Sequence, residues 1–365
     1  MSETPSKVGT MDAEHSAGWL LKAGIPVLLG TVVATAALIV LLFPLLRRYT
    51  LARPNARSSH KAPTPQGGGL AIVAAMLVAM PGIYWWIGGS AGALARDPNL
   101  LAVLAATLLL TALGLVDDLR PLGPASRLLL QAAGVALVVA SLPQAVRIWP
   151  ALPLVLERTA LAIGLVWFVN LVNFMDGIDW MSVAEIVPLT AALALLAALG
   201  ALGLEAGLTA LALCGAMLGF APFNRPVARL FLGDVGSLPI GLLSGWLLAL
   251  LAGHGHLAAA ILLPLYYLAD ATITLLRRVA RGERFWEAHR SHFYQRALDH
   301  GFSVGQVTAL VFATNVILAA LAIAAVLLPA AWSVLMVLAG CIVVGALLVR
   351  LSRPLTKAAP GRMKV

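Results

Sequence analysis

Residues 99–118 read NLLAVLAATLLLTALGLVDD, an apolar run that ends in two adjacent aspartates. A helix that crosses a bilayer needs about 20 mostly apolar residues. This stretch therefore predicts a membrane-spanning helix whose last turn carries two carboxylates. Charged groups at such depth are expensive, so they are usually functional or paired with a partner.

The same apolar pattern recurs along the 365 residues of the chain, of which 61% are hydrophobic and only 11% are charged. Soluble domains carry about 25% charged residues, so this is a membrane composition. We predict an all-α, polytopic integral membrane protein with about eleven transmembrane helices. The predicted spans are residues 23–46, 68–88, 99–116, 127–143, 158–174, 183–200, 205–222, 237–252, 257–276, 305–328 and 331–349.

The basic residues indicate how these helices are oriented. Of the 25 Lys and Arg residues, 20 lie in the loops after odd-numbered spans and in the C-terminal tail, and 5 lie in the other set. Cytoplasmic loops carry the excess of positive charge, so we expect an external N-terminus and a cytoplasmic C-terminus. The net charge of +9 is explained by these loops, which argues against nucleic acid as a partner.

The orientation brings five aspartates to the cytoplasmic face: Asp117 and Asp118, Asp176 and Asp179 in NLVNFMDGID, and Asp234 in FLGDVGS. Five acids would repel one another unless a cation lay among them. Their hard oxygen ligands favour Mg²⁺ or Mn²⁺, and Mg²⁺ takes one or two carboxylates together with substrate phosphate oxygens. The alternative is that each aspartate caps a helix or pairs with a loop arginine.

Two loops are candidates for binding phosphate. Residues 275–296 read LLRRVARGERFWEAHRSHFYQR, and arginine grips phosphate oxygens in a bidentate manner. A solvated positive loop or a zinc site at His289 and His292 is the alternative, although a third zinc ligand is missing. The first loop ends in three glycines, residues 67–69, whose N–H groups could meet an anion or could belong to a plain glycine-rich turn.

These motifs, in this order, resemble those of the polyprenyl-phosphate N-acetylhexosamine-1-phosphate transferases. That family includes enzymes that make the first lipid-linked intermediate of peptidoglycan and others that initiate O-antigen and enterobacterial common antigen. The resemblance covers about residues 47–300 and rests on four separated motifs together with the topology. It implies a transmembrane catalytic domain over residues 23–350, between a polar periplasmic tail (1–22) and a basic cytoplasmic tail (351–365).

The resemblance also implies roles for individual residues. The paired aspartates and Asp176 match catalytic positions, and Asp234 matches a metal ligand that Asp118 would assist. Asp117 would deprotonate or position the lipid phosphate. The expected substrate contacts are Lys61 near the nucleotide, Asn173 (with Asn170) in the Asn-rich motif, Asp179, Asn224 and Phe231 at the uracil, and His289, Arg290 and His292 at the sugar diphosphate.

The implied reaction transfers an N-acetylhexosamine-1-phosphate from a UDP-sugar to undecaprenyl phosphate in the bacterial inner membrane, releasing UMP and initiating an O-antigen-like polysaccharide. Mg²⁺ is the implied cofactor, with Mn²⁺ as its substitute. Direct attack and a covalent aspartyl intermediate both stay open, and so does a homodimer. A transporter is disfavoured because transporters place charges near the midplane and show inverted repeats.

The sequence departs from the family pattern at two places. Trp180 follows Asp179 where the family has glycine, and the histidine segment is HRSH instead of the triple histidine of the peptidoglycan branch. Asp270 followed by Arg277 and Arg278 resembles the O-antigen branch. These features favour a UDP-N-acetylhexosamine donor over the muramoyl-pentapeptide donor of the peptidoglycan enzyme, which is the alternative function.

Overall fold

The computed structural model describes residues 18, 20–52, 63–88, 97–283 and 289–355. It confirms the all-α class, with one two-stranded antiparallel ribbon. The elements are α1 (Ile25–Tyr49, preceded by a π-helical turn, Leu20–Gly24), β1 (Leu51–Ala52), β2 (Thr64–Pro65), α2 (Gly69–Gly88), α3 (Pro98–Leu119), α4 (Pro124–Ser141), α5 (Leu154–Met175), α6 (Met181–Ala198), α7 (Leu204–Phe220), α8 (Asp234–Gly253), α9 (Leu257–Leu262), α10 (Leu265–Ala280), α11 (Phe293–Asp299), α12 (Val304–Leu327) and α13 (Ser333–Leu351, preceded by a 3₁₀ turn, Ala330–Trp332).

Within the described parts of the chain, nine helices are long and apolar enough to cross a membrane, as in a multi-pass membrane protein. Two of the predicted spans differ from the expectation. The span at 205–222 is the 17-residue helix α7, and the span at 257–276 is divided into α9 and α10. Pro264 lies at this break, where its missing N–H and its ring interrupt the helical hydrogen bonds. The number of crossings and the side of each terminus stay predictions.

Helix α8 is the centre of the bundle. In its most apolar stretch 94% of the residues are buried, against 17% for the peripheral helix that contains α1. It packs against α3, α5, α9 and α2. The small residues of its GLLSG run let α5 approach, since a Cβ at Gly241 would lie 3.0 Å from Val169 Cα. The run therefore serves helix packing, as its small-xxx-small spacing predicts.

Two loops pair at one end of α8 and fix the start of α2. Gly68 N–H donates to Phe231 O at 2.9 Å, Gly69 N–H donates to Leu232 O at 3.0 Å, and Phe231 N–H donates to Pro65 O at 2.9 Å. The N–H groups of Gly68 and Gly69 are therefore used within the backbone. The structure gives no support to an anion site at these two glycines.

The third glycine of the run allows α2 and α8 to touch. A Cβ added to Gly69 would lie 2.1 Å from Gly236 Cα and 2.4 Å from Gly236 N, which are backbone atoms that cannot rotate away. On the other side of α8, a Cβ at Gly114 in α3 would lie 2.3 Å from Asp234 O. Both neighbours therefore pack directly against the first turn of α8.

We predict that Gly69→Ala destabilises the protein by about 1–3 kcal/mol, because the methyl group overpacks a backbone contact. The matched control is Gly164→Ala in α5, where a Cβ meets nothing within 4 Å. That change should be neutral or stabilising by up to about 1 kcal/mol, since alanine favours a helix interior. Thermal unfolding in detergent measures both, and equal effects would contradict the packing account.

Candidate active site

A polar pocket of about 210 Å³ opens at the end of the bundle where α3 and α5 finish and α8 begins. Its lining comes from four separated segments of the chain, and it includes seven of the residues that the sequence predicted. The lining residues are Gln66, Asp118, Asn173, Asp176, Gly177, Ile178, Asp179, Asn224, Phe231, Leu232, Gly233 and Asp234.

Asp118 joins the end of α3 to the start of α8. Its carboxylate accepts hydrogen bonds from the backbone N–H groups of Asp234 at 3.0 Å and Val235 at 3.1 Å. Both N–H groups lie in the first turn of a helix and have no acceptor within the helix. The helix dipole also favours a negative charge at this end. Gly233, at φ +78°, allows the approach, since a Cβ there would lie 2.6 Å from Asp118 Oδ2.

The carboxylate of Asp234 is held by two partners. Asn173 Nδ2–H donates to its Oδ1 at 2.7 Å, and Arg127 Nη2 pairs with its Oδ2 at 3.1 Å. Asn173 is itself fixed, because its amide also donates to Ser237 Oγ at 2.9 Å and accepts from Arg127 at 3.2 Å. The predicted metal ligand therefore lies in the pocket beside Asp118, with its orientation set by α5.

Arg127, in the first turn of α4, is the residue that sequence reasoning missed. The sequence analysis counted it only as one of the basic loop residues. The short turn after α3 brings the chain back beside the aspartates. Its guanidinium pairs with Asp117 Oδ2 at 2.8 Å and with Asp234 Oδ2 at 3.1 Å. It supplies a positive charge among the acids. Gln66 was also missed, and its Nε2–H donates to Asp118 O at 3.1 Å.

Asp117 is placed differently from the prediction. Its Oδ1 accepts from Leu122 N–H at 2.7 Å, its Oδ2 pairs with Arg127, and its side chain is 8% exposed. It does not line the pocket. Through these contacts Asp117 braces the turn between α3 and α4 and holds Arg127. Its predicted action on a lipid phosphate stays a prediction.

Asp176 lies at the end of α5 and faces the other carboxylates. Ser182 Oγ–H donates to its Oδ1 at 2.6 Å. Removal from water raises the pKa of Asp176 to about 8, and repulsion by Asp234, Asp118 and Asp179 adds to the rise, while the bond from Ser182 opposes it. The carboxyl of Asp176 therefore favours its protonated form at neutral pH.

Asp179 and Asn224 line the pocket and also hold its wall together. Asp179 Oδ2 accepts from Ala228 N–H at 3.0 Å. Asn224 accepts from Trp180 N–H at 2.8 Å through Oδ1 and donates to Leu230 O at 3.0 Å through Nδ2. Both side chains thus connect the loop after α5 to the loop before α8. Their predicted contact with uracil stays a prediction, and so does that of Phe231.

Trp180, the departure from the family pattern, has a backbone that suits glycine. Among the described residues it is the one non-glycine residue with positive φ, at +63°. This left-handed conformation is costly for a side chain with Cβ. The indole N–H donates to Ala221 O at 2.7 Å, and this bond ties the side chain to the end of α7.

His292 is also placed differently from the prediction. Its side chain is 4% exposed, it caps α11 with Gln295, and its Nδ1 lies 3.2 Å from Asp270 Oδ1. Asp270 in turn accepts from the N–H groups of Phe293 and Tyr294 at 3.0 and 3.2 Å. The Asp270–His292 pair therefore anchors α11 to α10. The predicted contact of His292 with a sugar diphosphate stays a prediction.

The other residues of the HRSH segment are not among those that line the pocket. The ring of His289 is 4.9 Å from that of His292, and Arg290 lies 3.7 Å from Asp299. Tyr294, which follows the segment, donates its hydroxyl to Phe174 O at 3.0 Å, near the end of α5. Lys61 lies outside the described residues. Asn170 faces the neighbouring helix, where it donates to Gln131 Oε1 at 2.6 Å.

The pocket suits a hard divalent cation. Four carboxylates line it, those of Asp118, Asp176, Asp179 and Asp234, against one guanidinium at its edge. Among the residues that the structure describes, no three His, Cys, Asp or Glu side chains form a ready-made metal cage. Mg²⁺ needs only one or two carboxylates when substrate phosphates supply further oxygens, so Asp118 and Asp234 meet its requirement.

We predict that Trp180→Gly destabilises the protein about 1 kcal/mol less than Trp180→Ala does. Both changes remove the indole hydrogen bond, and glycine alone adopts φ +63° without strain. At Trp167, inside α5, the order should reverse, because alanine exceeds glycine by about 1 kcal/mol in a helix interior. Thermal unfolding of the four variants tests this, and the same order at both positions would contradict it.

Comparison with known proteins places this site in a family. The sequence profile of glycosyl transferase family 4 matches residues 100–252, which contain all four pocket aspartates. A decaprenyl-phosphate N-acetylglucosaminephosphotransferase of Mycobacterium leprae is 27% identical over 73% of this chain and 74% of its own. A probable undecaprenyl-phosphate N-acetylglucosaminyl 1-phosphate transferase of Bacillus subtilis is 25% identical over 73% of this chain and 75% of its own.

A third relative carries the name of the peptidoglycan enzyme. A phospho-N-acetylmuramoyl-pentapeptide-transferase of Synechococcus sp. is 33% identical over 58% of this chain and 67% of its own. The resemblance seen in the motifs is thereby confirmed. The chain belongs to glycosyl transferase family 4, the polyprenyl-phosphate N-acetylhexosamine-1-phosphate transferases.

Proposed function

We propose that the chain transfers an N-acetylhexosamine-1-phosphate from a UDP-sugar to undecaprenyl phosphate and releases UMP. The observation that carries the proposal is the pocket itself, in which four carboxylates from three motifs meet at one end of a membrane bundle. The names of the relatives in Mycobacterium leprae and Bacillus subtilis support this reaction. The protein would lie in a bacterial inner membrane, and its pocket would face the cytoplasm, where nucleotide sugars are made.

The reaction needs little proton transfer. An oxygen of the lipid phosphate attacks the β-phosphorus of the UDP-sugar, a new P–O bond forms, and the bond to the α-phosphate oxygen breaks to release UMP. The second pKa of a phosphate monoester is about 6, so the attacking oxygen is already anionic at neutral pH. A general base is therefore dispensable, which agrees with the use of Asp117 for positioning.

The chain's contribution is to place charges before the substrates arrive. Asp234 and Asp118 are the residues that would hold Mg²⁺, or Mn²⁺ in its place, and the bound cation would neutralise the donor diphosphate. Asn173 fixes the orientation of Asp234, and the backbone of α8 fixes Asp118. Such preorganised electrostatics supply most of the rate in phosphoryl transfer.

The donor we propose is a UDP-N-acetylhexosamine, and the product would initiate an O-antigen-like polysaccharide. HRSH in place of a triple histidine supports this choice. The name of the Synechococcus relative supports a second candidate, transfer from UDP-N-acetylmuramoyl-pentapeptide. The two candidates share the lipid acceptor and the release of UMP, and they differ only in the sugar.

We expect purified protein with undecaprenyl phosphate and Mg²⁺ to release UMP from a UDP-N-acetylhexosamine and to stop on addition of EDTA. Asp234→Asn should lower the rate by about 10²–10³-fold, as expected when a charge that stabilises the transition state is lost. The matched control is Asp97→Asn at the start of α3, whose side chain accepts from Asn99 and Leu100 N–H far from the pocket. Asparagine caps equally well, so this variant should stay fully active.

The same assay separates the alternatives. Release from UDP-N-acetylmuramoyl-pentapeptide alone would assign the peptidoglycan reaction. No release with either donor from folded protein would overturn the proposed function. Exchange of labelled UMP into the UDP-sugar without lipid would show a covalent intermediate in place of direct attack.

The raised pKa of Asp176 predicts a pH dependence of cation binding. Below about pH 8 the carboxyl keeps its proton in the cation-free pocket, and a nearby divalent cation favours the ionised form. Mn²⁺ affinity should therefore rise from pH 6 to 8, with release of protons on binding. Asp176→Asn should make the dependence shallower, and the other carboxylates of the pocket should account for what remains. An unchanged slope in this variant would show that Asp176 does not titrate with binding.

A further inference from the structure

Arg127 occupies the edge of the pocket as a cation that belongs to the protein. One side of its guanidinium pairs with Asp117 Oδ2 at 2.8 Å. The other side reaches Asp234 Oδ2 at 3.1 Å and donates to Asn173 Oδ1 at 3.2 Å. Its side chain is 26% exposed and that of Asp234 is 25% exposed, so solvent reaches both members of the pair.

Both oxygens of Asp234 are engaged in this arrangement. Oδ1 accepts from Asn173 and Oδ2 pairs with Arg127. A divalent cation that approaches Asp234 must therefore share the carboxylate with a guanidinium about 3 Å away, and the two positive charges repel. Asn173 is neutral and raises no such barrier. The competitor for Asp234 is Arg127 alone among these partners.

Arg127 can leave Asp234 and still keep its ion pair with Asp117. Asp117 is held by Leu122 N–H at 2.7 Å and is 8% exposed, so it is a fixed anchor for Arg127 next to Asp234. A guanidinium has donors on both of its sides and stays charged at all accessible pH values. Release of Asp234 would leave Arg127 on Asp117 with free donors turned toward the pocket.

We propose that Arg127 is the resident counter-ion of Asp234, which a divalent cation must displace before the pocket can bind its substrate. This inference rests on the proposed function, because it takes Asp234 as the cation ligand. Before a cation binds, Arg127 would offset part of the charge of the four carboxylates and hold α4 against α8. On loading, the incoming cation takes over Asp234, and Arg127 keeps its contact with Asp117.

The effect expected on removal of Arg127 is unusual for a basic residue beside a pocket that would bind phosphate. Arg127→Met should bind Mn²⁺ at least about fivefold more tightly than the natural chain in the absence of nucleotide and lipid. Removing the competitor leaves Asp234 Oδ2 free, while methionine keeps much of the aliphatic volume. Arg127→Lys retains a charge but lacks the forked geometry that spans both aspartates. The Mn²⁺ affinity of this variant should therefore lie between those of the natural chain and Arg127→Met.

The measurement is a titration of free Mn²⁺ by electron paramagnetic resonance with full-length protein in detergent, after thermal unfolding has shown which variants are folded. Arg120→Met is the matched control, since Arg120 is exposed and lies in the same turn after α3. It removes the same formal charge from the same region and should change the Mn²⁺ affinity by less than about twofold, because exposed charges are screened.

Each outcome decides the matter. Tighter binding by Arg127→Met, or by Arg127→Lys if the first variant does not fold, together with an unchanged Arg120→Met, supports the proposal. Equal or weaker binding by the Arg127 variants overturns it while the proposed cofactor stands. Equal tightening by Arg120→Met also overturns it, because the effect would then come from net charge. Absence of Mn²⁺ binding in every folded chain would instead remove the cofactor from the proposed function.

Discussion

The two hydrogen bonds from the N-terminus of α8 to the carboxylate of Asp118 are the interaction on which the rest of the site depends. They join the last turn of α3 to the first turn of α8, the most buried helix of the bundle. The same turn carries Asp234, so the bonds set the separation of the two carboxylates. Glycines permit the contact, because any Cβ at Gly114 or Gly233 would enter the space that the partners occupy.

The excess of negative charge in the pocket explains the other features of the site. Four carboxylates face one pocket, and a membrane protein cannot hydrate them fully. Part of the charge is offset by Arg127 and by backbone N–H groups, and part is avoided because Asp176 keeps its proton. Each of these three features reduces the repulsion among the carboxylates before a cation and a diphosphate bind.

The sequence predicted the helices well because the bilayer imposes a length and a polarity that a window of residues can detect. The run 99–116 became α3 at Pro98–Leu119, and the run 237–252 became α8 at Asp234–Gly253. The break at Pro264 was missed, since the apolar composition continues across it. The motifs also brought Asp118, Asp176 and Asp234 together correctly, because each follows or begins a span at the same face.

What the sequence could not predict are the contacts made across space. Nothing local distinguishes Arg127, which contacts Asp117 and Asp234, from Arg120 on the turn before it. Likewise, a histidine in a predicted loop is expected to be exposed to ligands, whereas His292 is buried against Asp270. The positive φ of Trp180 was signalled only by the glycine that the family has at this position. Side-chain partners of this kind depend on helix packing, which a linear pattern does not contain.

The central claim is that Asp234 and Asp118 bring a divalent cation into contact with the donor diphosphate. The direct measurement is pulsed electron–nuclear double resonance of Mn²⁺-loaded protein with a UDP-N-acetylhexosamine, which detects phosphorus nuclei bound through oxygen to the metal. The account predicts a ³¹P coupling in the natural chain that is lost in Asp234→Asn. Protein-bound Mn²⁺ without ³¹P coupling, or a coupling unchanged in Asp234→Asn, would contradict it.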